Sequence, residues 1–217
     1  MSAHTKIKIC GITTVDDGLH AAKAGADFLG YIFFAKSPRN VVPADARAMI
    51  QRIRSTYPNI AHVGVFVNMP LDELLSTART AGLDFVQLHG TESPEYCRHA
   101  TDSGLQVIKV FKFGNGAPPA NWSEFQGVKY FLCDTFAQNA EGGTGVGFDR
   151  ALLPPGFPLE RSFLAGGLTP SNIAEVLTEV EPFAVDVSTG VEVSPGKKDY
   201  ALVTEFIARG KSEKQPA

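Results

Sequence analysis

Short apolar, β-branched runs alternate with helical patterns along this whole chain, and that alternation limits its possible folds more than any other feature. The runs read as Lys6 to Cys10, Phe28 to Phe34, Ala61 to Phe66, Phe85 to Leu88, Gln106 to Phe111, Tyr130 to Asp134, Ser162 to Ala165 and Ala184 to Val187. Their starts lie roughly 20 to 35 residues apart, the length of one strand, one helix and two connections. Such a repeat predicts parallel strands joined by crossover helices. Eight units predict closure into a single α/β domain, a (β/α)8 barrel over residues 1–209. The remaining segment 210–217, GKSEKQPA, has no apolar period and is expected to be a flexible tail.

Helix starts are marked between the runs. Thr14 precedes an acidic first turn at Asp16 and Asp17, a pattern suited to capping exposed N–H groups. Pro43, Pro70, Pro94 and Pro170 read as starts, because proline in a first helical turn gives up no intrahelical hydrogen bond. The fifth connection, Gly114 to Gln126, is rich in glycine and proline and predicts a short or degenerate helix.

Composition narrows the partners. A formal charge of -3 and a pI near 6.0 give no reason to approach nucleic acid or an anionic membrane. Three cysteines cannot all pair, and no Cys/His cluster has metal-ligand spacing. No apolar segment opens the chain, and no run of about 18 apolar residues could span a bilayer. These features predict a protein of the reducing cytoplasm with a small-molecule partner and no metal. No exposed apolar stripe stands out, so a monomer is expected, with a homodimer left open.

In a parallel barrel the residues just past each strand's C-terminal end converge on one mouth, where active sites sit. Here those residues are Cys10-Gly11, the loop Lys36-Ser37-Pro38-Arg39-Asn40, Asn68, His89-Gly90, Lys112, Asp134-Thr135, Gly166-Gly167, and Asp186 with Ser188-Thr189-Gly190. A thiol, a carboxylate, a guanidinium and glycine turns together suit chemistry on an anionic small molecule. Phosphate in such barrels commonly sits on the last two loops. Gly166-Gly167 lets backbone N–H groups approach an oxyanion, and Ser188-Thr189-Gly190 adds hydroxyl donors beside a tight turn. Each turn alone could equally be a plain strand-to-helix connection.

KICGIT (Lys8 to Thr13), VGVFVN (Val63 to Asn68), VQLHG (Val86 to Gly90) and DVSTGVEVSPGKKD (Asp186 to Asp199) closely resemble the phosphoribosylanthranilate isomerase family, in order and with matching spacing. The resemblance implies a barrel that performs an Amadori rearrangement on a phosphoribosyl anthranilate, without cofactor. It further implies Cys10 as general base, Asp134 as general acid, Arg39 as holder of the anthranilate carboxylate, and Gly166, Gly167, Ser188, Thr189 and Gly190 as phosphate site. Two departures stand out: Val146 follows the GGTG turn and Arg150 follows the Phe148-Asp149 pair, where a polar residue and a tryptophan are expected.

The chemistry needs two groups of opposite protonation, a carboxylic acid kept neutral by burial and a thiolate whose pKa a helix N-terminus or cation lowers. Other readings stand beside these. A cysteine ending a strand is otherwise a small buried hydrophobe, the reading taken for Cys133 and, on its helix, Cys97. Asp134 could merely cap the next segment, and Arg39 could be a solvated charge, although a planar carboxylate suits its guanidinium better than the Lys36 ammonium. His89 could contact substrate or orient its loop, and Asp186 is expected to serve the last loop's backbone amides. The glycine-rich stretch Glu141 to Gly147 predicts a water-excluding lid. Rival functions are a histidine-pathway sugar isomerase working with two aspartates, and a non-catalytic phosphosugar sensor.

Overall fold

The computed structural model describes residues 5–113, 121–134, 153 and 156–212. The predicted lid, with Val146, Arg150 and Thr135, lies outside the described residues. Eight parallel strands close into a barrel in chain order. They are β1 (Lys6–Cys10), β2 (Phe28–Phe33), β3 (Ala61–Phe66), β4 (Phe85–Leu88), β5 (Val107–Lys112), β6 (Tyr130–Asp134), β7 (Ser162–Ala165) and β8 (Ala184–Val187). Two runs differ from expectation by one residue: β2 stops before Phe34, and β5 is displaced to begin at Val107 and end at Lys112.

Among the described residues six helices surround the barrel: α1 (Val15–Ala24), α2 (Pro43–Thr56), α3 (Leu71–Ala81), α4 (Pro94–Asp102), α5 (Ile173–Glu179) and α6 (Tyr200–Lys211). Their starts obey local chemistry. The Thr14 hydroxyl accepts from the Asp17 amide at 3.2 Å, and Pro43 and Pro94 occupy first-turn positions. Residues 114–120 of the fifth connection lie outside the described residues; in the rest of it Trp122–Glu124 forms a 3-10 turn, and Leu159–Arg161 forms another before β7. No helix among the described residues is long and apolar enough to cross a membrane.

Two features correct the expectations. Helix α6 continues through Gly210, which is buried against Ile7, so the tail cannot begin there; residues 213–217 lie outside the described residues. After β8 the chain also makes an antiparallel hairpin, β9 (Glu192–Ser194) and β10 (Lys197–Lys198), too short to register as strands in the sequence.

Strand alternation divides the core in two. Outward residues such as Leu29, Phe66, Leu88 and Cys133 pack with the helices, whereas Phe28, Val63, Ile108, Leu132 and Phe163 fill the interior. Register and alternation then stack the interior in layers of four contributed by alternate strands. Phe28, Phe85, Tyr130 and Ala184 close the bottom, followed by Lys8, Val63, Ile108 and Phe163. Above them come Gly30, Gln87, Leu132 and Asp186, then Cys10, Val65, Val110 and Ala165. Ile32, His89, Asp134 and Ser188 form the rim. Aromatic edges seal the lower end, with Phe28 and Phe163 centroids 5.1 Å apart. The thiol and the carboxyl group therefore share the upper mouth, with Cys10 one layer below Asp134.

Candidate active site

Cys10 is 6% exposed and lies directly above Lys8 on the same face of β1. Gly30, across the β1–β2 pair, makes room for both: a Cβ there would lie 2.7 Å from the Cys10 sulfur and 3.2 Å from the Lys8 Nζ. Lys8 is fully buried and donates to Asp186 Oδ2 at 2.8 Å. Burial works against that ammonium, yet Asp186 and Cys10 together outweigh it and the lysine pKa ends above its ordinary value. The expected lowering of the Cys10 pKa is not found. Burial pushes the thiol up, and the opposing pull of Lys8 and Lys198 does not overcome it. Helix α1 begins at Val15, five residues further along the chain, and is capped by Thr14.

Arg39 lies against Gly11, the residue after the cysteine. Its stem crosses Gly11, where a Cβ would lie 2.7 Å from the arginine Cδ. The Ser37 hydroxyl accepts from the Arg39 amide at 3.1 Å and fixes the loop, while Lys36 is exposed. Arg39 Nε donates to Glu192 Oε1 at 2.9 Å, Arg39 Nη2 donates to Oε2, and this hydrogen-bonded pairing raises the arginine pKa further. The ion pair was not foreseen from the sequence, and neither was Lys198, buried at 3% exposure and donating to the Cys10 carbonyl at 2.6 Å.

Asp134 ends β6 with its side chain 20% exposed. His89 bridges a rim neighbour and a deeper residue of its own strand, with Nε2 3.5 Å from Asp134 Oδ2 and Nδ1 3.3 Å from the Gln87 amide nitrogen. That places the imidazole against the carboxyl group as well as in its own loop. Asn68 does not reach the mouth chemistry. Its side chain accepts from the Thr91 amide at 2.7 Å, and Glu92, paired with Lys109 at 2.7 Å, gathers the amides of Asn68 and Gly90. These contacts pin the loop that carries His89.

The last two loops meet. A Cβ on Gly190 would lie 2.0 Å from the Leu168 carbonyl oxygen, so only glycine permits this contact. Gly166 and Gly167 both adopt positive φ, 103° and 65°. Ser188, Thr189 and Gly190 turn directly above β8, with Thr189–Val191 in a short 3-10 turn. Asp186 does not serve these loop amides as expected. Alternation sends its side chain into the barrel, where buried Lys8 demands a counter-charge. Its Oδ1, the Ser188 hydroxyl and the Gln87 Oε1 are buried without a hydrogen-bond partner.

Lys8, Glu192 and Lys198 were the residues missed. Lys8 had a signal, a charge between isoleucines two residues before Cys10 and hence on its face. Glu192 and Lys198 fall inside the segment Asp186 to Asp199 but gain their partners only through the hairpin.

A closed (β/α)8 barrel with this polar mouth defines an enzyme of the barrel class that handles a small anionic ligand. Sequence comparison resolves it further: the family model described as N-(5'phosphoribosyl)anthranilate (PRA) isomerase matches residues 7–209. The N-(5'-phosphoribosyl)anthranilate isomerase of Citrifermentans bemidjiense is 46% identical over 95% of this chain and 97% of its own. The phosphoribosyl anthranilate isomerase structure from Thermotoga maritima superposes with a TM-score of 0.80 at 37% identity, covering 95% of this chain and 98% of that one. A further isomerase structure, solved in complex with reduced 1-(o-carboxyphenylamino)-1-deoxyribulose 5-phosphate, gives a TM-score of 0.77 at 36% identity over 95% and 98% of the two chains. The chain belongs to the phosphoribosylanthranilate isomerase family and is an isomerase of tryptophan biosynthesis.

Proposed function

We propose that this mouth converts N-(5-phospho-β-D-ribosyl)anthranilate into 1-(2-carboxyphenylamino)-1-deoxy-D-ribulose 5-phosphate, the third step of the tryptophan pathway from chorismate, with Cys10 as general base and Asp134 as general acid. The observation that carries this reading is the stacking at one end of the barrel: the thiol one layer below the carboxyl group, with Arg39 lying across Gly11, the residue after the cysteine. Asp134 gives its proton to the ring oxygen as the anthranilate nitrogen forms a double bond to C1 and the C1–O bond breaks. The resulting cationic imine acidifies the proton on C2. Cys10 takes that proton, and the enol left behind tautomerises to the C2 ketone. His89 supports the carboxyl group from the rim.

In this reading the Arg39 guanidinium holds the anthranilate carboxylate, and the touching loops at Gly166-Gly167 and Ser188 to Gly190 take the phosphate. No cofactor enters the scheme. The test is turnover of phosphoribosylanthranilate, followed by its fluorescence, in Cys10→Ser and Asp134→Asn. Each is expected to lose at least about 10²-fold in kcat; near-wild-type turnover in either removes that residue from the mechanism. The reading also places the chain in the cytoplasm as a monomer. Few large hydrophobics stay exposed among the described residues, namely Val42, Val193 and Tyr200. Sedimentation velocity checks this, and a stable dimer would correct it.

A further inference from the structure

Glu192 occupies an unusual position for an acid, with its side chain only 4% exposed and three different donors converging on it. Oε1 accepts from Arg39 Nε at 2.9 Å and from Lys198 Nζ at 2.8 Å, with the Gly196 amide at 3.4 Å; Oε2 accepts from Arg39 Nη2. Lys198 spends its other two protons on the Cys10 carbonyl at 2.6 Å and the Ser188 carbonyl at 3.3 Å. One carboxylate thus links the loop after β2, the backbone of the β1 cysteine and the loop after β8.

The geometry of Arg39 gives this cluster a purpose. A guanidinium has five N–H donors on three edges. Glu192 takes the edge formed by Nε and Nη2; among the described residues nothing is hydrogen-bonded to Nη1, so the edge between Nη1 and Nη2 suits a second planar carboxylate. Gly11 lets the arginine stem lie flat across the cysteine's own turn, so rotation of the side chain is limited by contacts at both ends.

We propose that Glu192 is a positioning residue for substrate selection: it turns the free edge of Arg39 toward the mouth and, through Lys198, ties that edge to the backbone that carries Cys10. The inference rests on the reading of Arg39 as the carboxylate holder. It names the substrate feature sensed, an aromatic ortho-carboxylate at a fixed distance from the sugar carbon that loses its proton.

The sign of one substitution separates positioning from plain electrostatics. Glu192→Gln removes a negative charge beside the anion site, so an electrostatic role predicts tighter carboxylate binding. Positioning predicts the reverse, because a glutamine keeps one acceptor oxygen and turns an NH2 donor against one of the arginine N–H groups, which breaks the two-oxygen pairing. The expected result is a rise of at least about ten-fold in KM and in the dissociation constant of the reduced product analogue. Inhibition by inorganic phosphate stays unchanged and kcat falls by a smaller factor. In an Arg39→Ala background the effect of Glu192→Gln on KM should vanish. Unchanged or tighter analogue binding in Glu192→Gln, with Arg39→Ala still weakening it, overturns this inference alone; no effect in Arg39→Ala overturns the clamp itself. Should Glu192→Gln fail to fold, Glu192→Gln with Lys198→Met removes both charges of the buried pair and is read the same way. If neither folds, Glu192 serves the fold and the proposal fails.

Discussion

Cys10 meets a conflict that its layer in the barrel imposes. The position that points the sulfur into the mouth also buries it, and burial raises the thiol pKa above that of an exposed cysteine despite Lys8 below and Lys198 behind. If the thiolate is the working base, the free enzyme's kcat/KM must rise with pH and keep rising where an exposed thiol would already be ionised. A pH profile flat across the alkaline range would count against Cys10. Lys8→Met removes a cation that favours the thiolate, so it should displace the rising limb to still higher pH. Arg39→Ala should raise KM for the substrate and leave inhibition by phosphate intact; an unchanged KM would refute the clamp. At this scale the sequence revealed chemical groups but not their couplings. Cys10, Arg39 and Asp134 could be named from their places after strands. The Arg39–Glu192 pair joins residues 153 positions apart, and no local pattern encodes that.

The elements follow from short-range physics, which is why they were legible. Strand limits came within a residue, because apolar β-branched runs act locally, as do the helix starts at Thr14, Pro43 and Pro94; Pro70 caps α3 from outside, and Pro170 lies three residues before α5 begins. The hairpin of β9 and β10 was not, since its strands of three and two residues show no alternation. The contact between the last two loops was likewise hidden. Gly190 reads as an ordinary turn glycine, yet what it accommodates is the Leu168 carbonyl from another loop. Gly190→Ala should therefore force the loops apart, weaken inhibition by inorganic phosphate and cost about 1–3 kcal/mol of stability. Gly167→Ala tests the alternative of mere turn geometry. An added Cβ there meets nothing within 4 Å, so only the cost of positive φ, about 1–2 kcal/mol, applies. Equal phosphate inhibition in wild type and Gly190→Ala would dissociate these loops from the anion.

The whole barrel carries a pH liability outside the mouth. His62 is buried on the outer face of β3, its Nδ1 3.1 Å from the Tyr31 hydroxyl, and burial lowers its pKa from 6.5 to about 4. The unfolded chain therefore binds a proton between those values that the folded chain refuses. Stability from this group is complete above pH 6.5 and is lost as pH falls toward 4, by up to about 3 kcal/mol. Urea unfolding of His62→Phe should show a shallower decline over that window than wild type; identical slopes would contradict this. Inside the barrel, closure aligns five interior layers and sets Cys10 beneath the rim residue Asp134. The most direct test of that arrangement is a crystal structure with the reduced product analogue. The account predicts the sugar carbons between the Cys10 sulfur and the Asp134 carboxyl group, the carboxylate on the free edge of Arg39, and the phosphate against Gly167 and Gly190. An analogue bound with its phosphate elsewhere, or with either group remote from the first two sugar carbons, would contradict it.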